Sequence, residues 1–439
     1  MPPSAVKRLP AQAGEAAVAE DSAAPSSPCA AVACTVQLKP GPQRAEQLVA
    51  VVRSLVPGTD PDLPATVTVV SGGTTNALFK VCIGDIKVLV RVFGSGSDLL
   101  IDRARDNSEL ASWAFLGHCL CTQVVLQVTE VAEEVSAAGL GPRYYGSFSN
   151  GRVEGWIDAE PITPPQRMGQ PEFQALIAQK LARVHALDIS IAHCGSSGES
   201  VLWQQLGSWL GQVKALVHSE PGKAKLLRGV DLAWIEAAVQ KLKGELAAVS
   251  SGAATADAGP SEAASSVMTS QVVCHNDVNS GNVLVAAEDP GAVHFIDWEY
   301  AGLNPAGFDI GNHWCEYAGF DFRGSLHEYP SPDLAKAFMQ HYVEARCPAI
   351  VQSDWTAEEQ AQFWAACTRM GNMYALASHL LWGVWSIMQA AFSEVEFDFI
   401  DYAAQRFDAF KLQREHFDLP PVMGVPGAGA AADAPGAGK

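Results

Sequence analysis

Three side chains in the middle of the chain have the types and the spacing that phosphoryl transfer requires. Asp277 lies in the polar stretch HNDVNSGN, residues 275–282, just after a short apolar run. Asn282 follows five residues later, and Asp297 ends a second apolar run fifteen residues beyond it. We expect Asp277 to accept the proton of a substrate hydroxyl, and Asn282 and Asp297 to hold Mg²⁺ between phosphate oxygens. Glu299 is placed to reach a second metal ion through water.

The same pattern has a simpler interpretation. HND and NSGN are typical turn sequences, and Asp297 alone would serve as a cap at the end of a strand. Either half of the pattern is weak evidence by itself, but both halves at this spacing favour catalysis. His275, two residues before the base, is expected to buttress the loop through backbone hydrogen bonds rather than to transfer protons. His185 is interpreted as a cation at a helix C-terminus.

A glycine-rich turn upstream lies between two β-branched runs and offers backbone N–H groups and hydroxyls to phosphates. Its residues are Ser71, Gly72, Gly73, Thr74, Thr75 and Asn76. The turn matches neither a Walker A loop nor a GxGxxG fingerprint, and paired glycines between strands more often form an ordinary hairpin. Arg91, in the next apolar run, is where a phosphate-binding cation would be needed, although a surface ion pair is the simpler interpretation.

The runs around these residues predict the elements that position them. Short β-branched runs over 65–70 and 87–93, joined through residues 76–81, predict an antiparallel sheet. Residues 171–187 place apolar side chains at helical spacing, and the chain beyond them is mostly helical. A sheet followed by helices predicts an α+β protein with two lobes and a cleft between them. Further strands are predicted over 144–148, 153–157, 272–275, 283–285 and 293–296.

Composition suggests where the lobes begin and end. Segments rich in Ala, Gly, Pro and Ser cannot bury enough apolar surface to offset the conformational entropy that is lost when a segment becomes ordered. They predict disordered tails over 1–35 and 425–439 and a flexible loop over 250–266. An N-terminal lobe over 40–160 and a C-terminal lobe over 161–420 are expected between them.

Charge and cysteine content exclude several classes of protein. The 29 Lys and Arg residues against 48 Asp and Glu give a net charge of −19, which repels nucleic acids and anionic membrane surfaces. The ten cysteines are spread along the chain without a C-x-x-C pair, and a chain of this length does not need disulfides, so free thiols are expected. The N-terminal residues lack the apolar core of a secretory signal. The apolar stretches 110–128 and 375–392 lack basic flanks and are expected to be buried helices. We therefore expect a cytoplasmic protein with no nucleic-acid partner and no integral membrane segment.

Several motifs together resemble the choline/ethanolamine kinases, over about residues 60–412. The motifs are SGGTTNALFKV at 71–81, VLVRVFG at 88–94, IDR at 101–103, GPRYYGSFSNGR at 141–152, the HNDVNSGN loop, IDWEYAGLNPAGFDIGNHWCEY at 296–317 and ASHLLWGVWSIMQ at 377–389. The resemblance implies a protein-kinase-like fold with a small antiparallel β lobe and a large, mostly helical lobe. It also implies ATP as co-substrate, Mg²⁺ as cofactor and phosphorylation of an amino alcohol, as the first step of the CDP-amine route to phospholipid.

Carried over residue by residue, the resemblance assigns residues 71–77, Arg91 and Asn279 to the nucleotide and its phosphates. It gives the catalytic acids and the amide the roles stated above. It also implies that residues 155–161 form the hinge beside the adenine, although GWIDAEP departs from the usual family sequence there.

A cationic amine would need aromatic faces or carboxylates, because burying an unpaired charge is costly. Aromatic residues at helical spacing are more often core residues, but the resemblance favours a substrate site here. An aromatic box favours quaternary ammonium and carboxylates favour primary ammonium, so chemistry alone leaves choline and ethanolamine both open. The candidate residues are Asp309, Glu316, Trp382, Trp385 and Tyr402, with Phe397 and Phe399 close by in the sequence.

Residues 107–127 interrupt the resemblance. Family members continue from the IDR motif directly into a helix whose glutamate pairs with the phosphate-binding cation, whereas here about twenty residues intervene. We interpret this stretch as an insertion that lengthens or splits the helix, covers a partner, or reflects an imperfect gene prediction. The acid that pairs with Arg91 is therefore left open between Asp106, Glu109 and Glu130.

An ATP-dependent ethanolamine kinase that makes phosphoethanolamine is the leading prediction, because EYAG at 316–319 is closer to the ethanolamine kinases than to the choline kinases. A choline kinase, or an enzyme that accepts both amines, is the first alternative. A catalytically silent scaffold is less favoured because it would not need all three catalytic residues. Aminoglycoside phosphotransfer is disfavoured by GFDIGNHWCEYAGF at 307–320. The oligomeric state stays open, with a homodimer among the options.

Overall fold

A computed structural model describes most of the chain and places its strands before its long helices. The first sheet has six strands in the order β1-β5-β6-β4-β3-β2, antiparallel except for β1 beside β5. The described residues are 30–38, 40–70, 76–93, 131–188, 199–219, 227, 229–249, 259–323, 326–393 and 396–422. The strands of this sheet are β1 (Ala31–Val32), β2 (Ala65–Val70), β3 (Asn76–Ile83), β4 (Ile86–Phe93), β5 (Tyr144–Phe148) and β6 (Gly151–Gly155), and helix α1 (Pro42–Leu55) packs beside them.

The alternation of side chains explains why β3 and β4 form the centre of this sheet. Phe79, Val81, Val88 and Val90 are buried at every second position and pack against α1. Residues 76–81 were expected only to join two strands, but they form most of β3, which pairs with both β2 and β4. The period-two pattern of this segment therefore outweighs its position beside a turn.

The longer part of the chain is helical and is organised around one helix of 36 residues, α9, most of which is buried. Thr356 and Glu359 form a capping box at its start. After α1, the α-helices within the described residues are α2 (Pro171–His185), α3 (Val201–Ser219), α4 (Leu232–Val249), α5 (Pro260–Thr269), α6 (Ala306–Cys315), α7 (Pro332–Arg346), α8 (Pro348–Val351), α9 (Ala357–Phe392) and α10 (Phe399–His416).

Two small sheets lie within the helical part and carry the loops of the site. Strands β8 and β11 pair antiparallel, and β9 pairs with both β7 and β10. Their bounds are β7 (Glu160–Pro161), β8 (Gln271–Cys274), β9 (Val283–Val285), β10 (Val293–Phe295) and β11 (Gly302–Pro305). The HNDVNSGN loop connects β8 to β9, and Asp297 follows β10. The strands predicted over 272–275, 283–285 and 293–296 are thus confirmed to within one residue.

Helix α6 lies directly against α9 because both helices carry a glycine at the crossing. A Cβ on Gly311 would lie 2.5 Å from the backbone oxygen of Gly371 and 2.6 Å from the amide nitrogen of Ala375. Such distances are shorter than any ordinary van der Waals contact, so only glycine allows this approach. The crossing brings the end of α6 beside the tryptophans of α9.

One predicted segment differs from the structure. Residues 250–266 were expected to be a flexible loop, yet Pro260–Thr269 is helix α5, with Ala264 and Ser265 buried. Proline at the first position and Glu262 in the first turn favour a helix start, and this local signal outweighs the low-complexity composition. The remaining residues of that expectation, 250–258, lie outside the described residues.

The expected buried helix over 375–392 is confirmed as the second half of α9. The other apolar stretch, 110–128, lies outside the described residues. Within the part of the chain that the structure describes, none of the helices has the length and apolar character needed to cross a membrane.

Candidate active site

The loop between β8 and β9 carries the predicted base. Asn282 donates its Nδ2 to the backbone oxygen of Asp277 at 2.9 Å and to its carboxylate Oδ2 at 2.8 Å. Asn279 donates its Nδ2 to the other carboxylate oxygen, Oδ1, at 2.9 Å. Burial raises the pKa of Asp277, and the nearby carboxylate of Glu316 raises it further. A carboxylate with a raised pKa is a stronger proton acceptor, so this arrangement suits a general base.

Asp309, at the start of α6, holds this loop from below. It is fully buried, its Oδ2 accepts the backbone N–H of His275 at 2.7 Å, and its Oδ1 accepts that of Asn276 at 2.8 Å. Asn276 has a φ of 66°, in the left-handed region that few residues other than glycine adopt. Two charge-assisted hydrogen bonds therefore fix a strained residue next to the base.

His185 extends the same network to α7. Its Nε2 lies 3.1 Å from Oδ2 of Asp309, and its Nδ1 lies 2.7 Å from the hydroxyl of Tyr342, which accepts a hydrogen bond from Arg346. Burial lowers the pKa of His185. The expectation of a cation at a helix end is therefore wrong, because a buried neutral imidazole fits both contacts.

His275 packs beneath the loop as expected. Its Nε2 lies 2.9 Å from the backbone oxygen of Ile296, and its ring contacts Trp298 with centroids 4.5 Å apart. Burial lowers the pKa of this histidine. The ring thereby links the segment that carries Asp277 to the segment that carries Asp297, with Nε2–H donating to the carbonyl of Ile296 and Nδ1 accepting the backbone N–H of Asp277 at 3.3 Å.

Asp297 lies opposite the loop and also has a left-handed backbone, with a φ of 63°. Its Oδ1 lies 3.0 Å from Nη1 of Arg91, a guanidinium that is almost completely buried in β4. Asn76, at the start of β3, donates its Nδ2 to Oε2 of Glu299 at 2.8 Å, and Nη1 of Arg91 lies 3.9 Å from the same oxygen. The first sheet therefore contacts Asp297 and Glu299 through Asn76 and Arg91.

A further buried acid, Glu154 on β6, also faces Arg91. Its Oε2 lies 3.9 Å from Nε of Arg91, and its Oε1 lies 2.8 Å from Nε of Arg152. Register explains the grouping, because Arg91 and Arg152 are directly opposed in the β4–β6 pair and Glu154 is two residues further along the same face. The partners predicted for Arg91, at positions 106, 109 and 130, lie outside the described residues.

The oxygen atoms at this position have the chemistry that Mg²⁺ prefers. Asn282 uses its amide nitrogen for Asp277, which leaves its carbonyl oxygen as an available ligand, and Asp297 uses only Oδ1 for Arg91. The side chains of Asp297 and Glu299 are 26% and 20% exposed, so ligands from solvent can reach both. Hard oxygen donors with partial access to water match a magnesium ion that keeps some of its waters.

A cluster of buried aromatic side chains from α9 and its neighbours lies near the loop. The rings of Trp382 and Trp385 meet edge to face with centroids 5.5 Å apart, and Tyr300 contacts Trp382 in the same way at 5.1 Å. Trp385 donates its Nε1 to the hydroxyl of Tyr300 at 2.9 Å, and Phe399 closes one side with its centroid 5.9 Å from Trp385. Hydrogen bonds fix the orientation of the indole and phenol groups in this cluster, which we call the aromatic lining.

A buried carboxylate stands near this lining. Oε1 of Glu316 accepts a hydrogen bond from Nη1 of Arg406 at 3.1 Å, and the same nitrogen lies 3.3 Å from the hydroxyl of Tyr402. Burial raises the pKa of Glu316, and Arg406 opposes that increase. The site therefore combines aromatic faces with one paired carboxylate.

Asn312 connects the aromatic lining to the catalytic loop. Its Oδ1 accepts hydrogen bonds from Nε1 of Trp382 at 2.8 Å and from the hydroxyl of Ser378 at 2.7 Å. Its Nδ2 donates to the backbone oxygen of Asn276 at 3.0 Å. One fully buried amide thus joins α9 to the loop that carries the base.

The segment expected to form the hinge, residues 155–161, begins at the end of β6. The Nζ of Lys80 lies 4.1 Å from the ring centroid of Trp156, whose Nε1 donates to Asp158 at 2.9 Å. Lys87 also pairs with Asp158 at 2.5 Å. These contacts fix the side chains of the segment on the surface of the first sheet.

The structure groups most of the predicted residues and separates one of them. Asp277, Asn279, Asn282, Asp297, Glu299, Arg91 and Asn76 surround one position, and Glu316, Trp382, Trp385 and Tyr402 lie beside it. Asp309 lies beneath the loop, with both carboxylate oxygens already occupied by backbone N–H groups, rather than among the substrate candidates. Residues 71–75 lie outside the described residues.

Sequence reasoning missed four residues of this site, and only some of them carry a signal. Tyr300 and Asn312 lie inside the motif IDWEYAGLNPAGFDIGNHWCEY at 296–317, and their polar type between apolar neighbours is a usable signal. Glu154 alternates with Arg152 in GRVEG, a pattern that predicts a shared face. Arg406 has no local signal, because it is one of several charged residues on a helix without a clear apolar face, and only tertiary packing buries it.

Comparison with known proteins gives a consistent result. The family described as choline/ethanolamine kinase matches residues 121–411. A probable ethanolamine kinase of Arabidopsis thaliana is 31% identical over 350 residues, which cover 79% of this chain and 78% of that protein. Ethanolamine kinase 1 of Mus musculus is 32% identical over 83% of this chain and 88% of its own length. A human choline/ethanolamine kinase is 29% identical over 79% of both proteins.

Solved structures with low sequence identity share the fold. An ethanolamine kinase of Plasmodium vivax has a TM-score of 0.63 at 21% identity and covers 84% of this chain and 89% of its own. A choline kinase of Cryptosporidium parvum has a TM-score of 0.60 at 22% identity and covers 85% and 96%. The expected two-lobed, protein-kinase-like α+β fold is thereby confirmed.

Proposed function

This chain belongs to the choline/ethanolamine kinase family, and from that premise we propose that it transfers the γ-phosphoryl group of ATP to the hydroxyl of ethanolamine. One observation carries the proposal. Asn279 and Asn282 hold the two carboxylate oxygens of Asp277 at 2.9 and 2.8 Å, and the pKa of Asp277 is raised by burial and then by the carboxylate of Glu316. From this arrangement we infer that one small amino alcohol presents its ammonium group to Glu316 and its hydroxyl to Asp277.

The geometry supports a simple division of roles. Asp277 accepts the hydroxyl proton as the oxygen attacks, while the amides of Asn279 and Asn282 hold its carboxylate in place. The family resemblance assigns Arg91 to the phosphates, and its guanidinium lies against Asp297 and Glu299, two of the proposed metal ligands. Mg²⁺, held by Asn282, Asp297 and Glu299, would neutralise charge on the transferred phosphoryl oxygens. ATP as donor follows from the family.

Choline is the second candidate substrate, and the aromatic lining favours it. A quaternary ammonium over the faces of Tyr300, Trp382 and Trp385 would gain cation–π attraction of up to about 2 kcal/mol. It cannot donate hydrogen bonds to Glu316, however, whereas a primary ammonium can donate three. We therefore place ethanolamine first and choline second. A cytoplasmic location and use of the product in phospholipid synthesis are expectations that accompany this proposal.

The first experiment is a comparison of amines. Purified full-length protein with ATP and Mg²⁺ should consume ATP on addition of ethanolamine, with a higher kcat/KM than for N-methylated ethanolamines or choline. A higher kcat/KM for choline would indicate that the aromatic lining, rather than Glu316, determines which amine is preferred. No turnover with any amine would refute the proposed function.

The second experiment tests the base. Asp277→Ala should lower kcat by about 10³-fold or more, because general base catalysis of this kind contributes about 10² to 10⁴-fold and the metal ligand Asn282 loses its partner. Asp289→Ala is the matched control, since Asp289 lies on an exposed turn of the same segment. Near-normal kcat in Asp277→Ala with an unchanged melting temperature would contradict the assignment.

A further inference from the structure

Arg406 is a buried cation, and burying a cation is energetically unfavourable. It lies on α10, its side chain is 0% exposed, and it is one of the largest fully buried side chains among the described residues. Burying a guanidinium costs several kcal/mol unless it is paired and hydrogen-bonded. Such a residue next to a site for an ammonium ion requires an explanation, because like charges repel.

Arg406 contacts Glu316 and residues around it. Nη1 donates to Oε1 of Glu316 at 3.1 Å, and Nη2 donates to the hydroxyl of Ser378 at 2.7 Å. The guanidinium also lies 4.5 Å from the ring centroid of Phe322 and 5.8 Å from that of Tyr402. Its position is therefore fixed from three sides.

The hydrogen bonds found for Glu316 in the described part of the chain use only Oε1. The second oxygen, Oε2, is the one left for a substrate. A bidentate arginine would occupy both oxygens, but here Nη2 is committed to Ser378 and cannot turn toward Glu316. The ion pair thus leaves half of the carboxylate for a ligand.

We propose that Arg406 is a positioning residue which holds Glu316 as a carboxylate with Oε2 available to a primary ammonium, and so sets the preference of the site for primary over quaternary amines. This inference rests on the proposed function and identifies a source of its selectivity. Arg406 touches no substrate in this scheme and acts only through Glu316.

Without Arg406, the surroundings of Glu316 would favour its protonated form. Burial raises the pKa of Glu316 and Arg406 is the group that opposes this increase, so without Arg406 the protonated form, which cannot form an ion pair, is favoured. The other groups that face Glu316 cannot replace the cation. Tyr402 from α10 and Cys315 from α6 have pKa values raised by burial and stay neutral, and burial lowers the pKa of His379 from α9.

The test compares Arg406→Met with Arg406→Lys, using KM for ethanolamine and for choline between pH 6 and 9. Arg406→Met should raise the KM for ethanolamine by about tenfold or more, because a charge-assisted contact is worth about 1.5 to 3 kcal/mol. That KM should fall as pH rises, since Glu316 then ionises only at higher pH. The KM for choline should change less than threefold, and Arg406→Lys should restore most of the preference. Arg183→Met, at an exposed position on α2, is the control.

A second comparison remains decisive if Arg406→Met alone does not fold. In a Glu316→Gln background Arg406 is an unpaired cation beside the ammonium, so removing it should lower the KM for ethanolamine instead of raising it. The double variant replaces a buried ion pair by neutral groups, a change that proteins often tolerate. A further rise of KM in this background would overturn the proposal.

The remaining outcomes are distinct from one another. Equal losses for both amines in Arg406→Met, without pH dependence, would show a purely structural role and overturn the inference. Wild-type protein that phosphorylates no amine would refute the proposed function itself, before any variant is made.

Discussion

Replacing Asp309 by asparagine tests whether the catalytic loop depends on a buried carboxylate. Although burial acts to raise the pKa of Asp309, hydrogen bonds from His185 and from the loop hold that pKa below its usual range. The carboxylate of Asp309 is therefore the acceptor in its hydrogen bonds with His185 and with the backbone N–H groups of His275 and Asn276. An asparagine side chain of the same shape has one acceptor and one donor, so at least one of its two loop N–H partners must face an amide N–H₂.

The magnitude follows from these contacts. Loss of a charge-assisted hydrogen bond costs about 1.5 to 3 kcal/mol, and a buried donor left without an acceptor costs about 1 to 3 kcal/mol more. We expect Asp309→Asn to lower the free energy of unfolding by about 3 to 5 kcal/mol, as for other broken buried networks. For a lobe of this size that change lowers the melting temperature by roughly 6 to 20 °C. Asn276 would also relax from its left-handed conformation, so kcat should fall at least about tenfold.

The assay is thermal or urea unfolding together with steady-state kinetics at a temperature where the variant is folded. Asp408→Asn is the control, because Asp408 is exposed, pairs only with Lys411 among the described residues, and should change stability by less than about 1 kcal/mol. A melting temperature within 2 °C of wild type with an unchanged kcat would contradict this prediction, since it would mean that the loop does not need the negative charge.

Two further predictions concern burial and packing. Burial lowers the pKa of His313 to about 4, so the unfolded state binds a proton that the folded state does not, and stability should fall as pH decreases from about 6.5 toward 4. When the pH is lowered from 7.5 to 5.5, the free energy of unfolding measured by urea titration should therefore fall by about 1 kcal/mol less for His313→Gln than for the wild type. The same pH dependence in both proteins would contradict this prediction. Gly311→Ala should lower stability by about 1 to 3 kcal/mol because its Cβ would meet the backbone of α9. Gly207→Ala, with open space around the added carbon, should raise stability by about 0.5 to 1 kcal/mol, and equal effects of the two substitutions would exclude the close crossing.

Local periodicity predicts most of the elements that position the site. The runs at 65–70, 144–148 and 283–285 coincide with strands, and the helix expected over 171–187 ends two residues early at His185. The spacing of Asp277, Asn282 and Asp297 predicts the catalytic group, since loops at the ends of short strands bring such residues together. These features depend on neighbours in sequence, which is why they can be read without a structure.

Features that depend on distant packing were not predictable in the same way. Asp309 and Glu316 are both acids on or beside α6, and sequence offers no reason to treat them differently. The turn of the helix decides that Asp309 faces the backbone of the loop while Glu316 faces α10 and Arg406. The helix over 260–269 was missed because its composition is that of a linker. Its apolar face is buried only by packing against α6 and α9.

The amide of Asn312 has a consequence for how substrate preference can change in this protein. Because this side chain bonds both Trp382 and the backbone of the catalytic loop, the pocket and the chemistry share one support. A substitution at Trp382 that reshapes the pocket also removes a hydrogen bond from Asn312, and so changes the conformation of the loop. New selectivity is therefore expected to arise first at Trp385 or Phe399, whose hydrogen bonds and ring contacts within the described residues include neither Asn312 nor the loop. An aromatic site built into another protein without Asn312 should bind its amine but turn it over slowly.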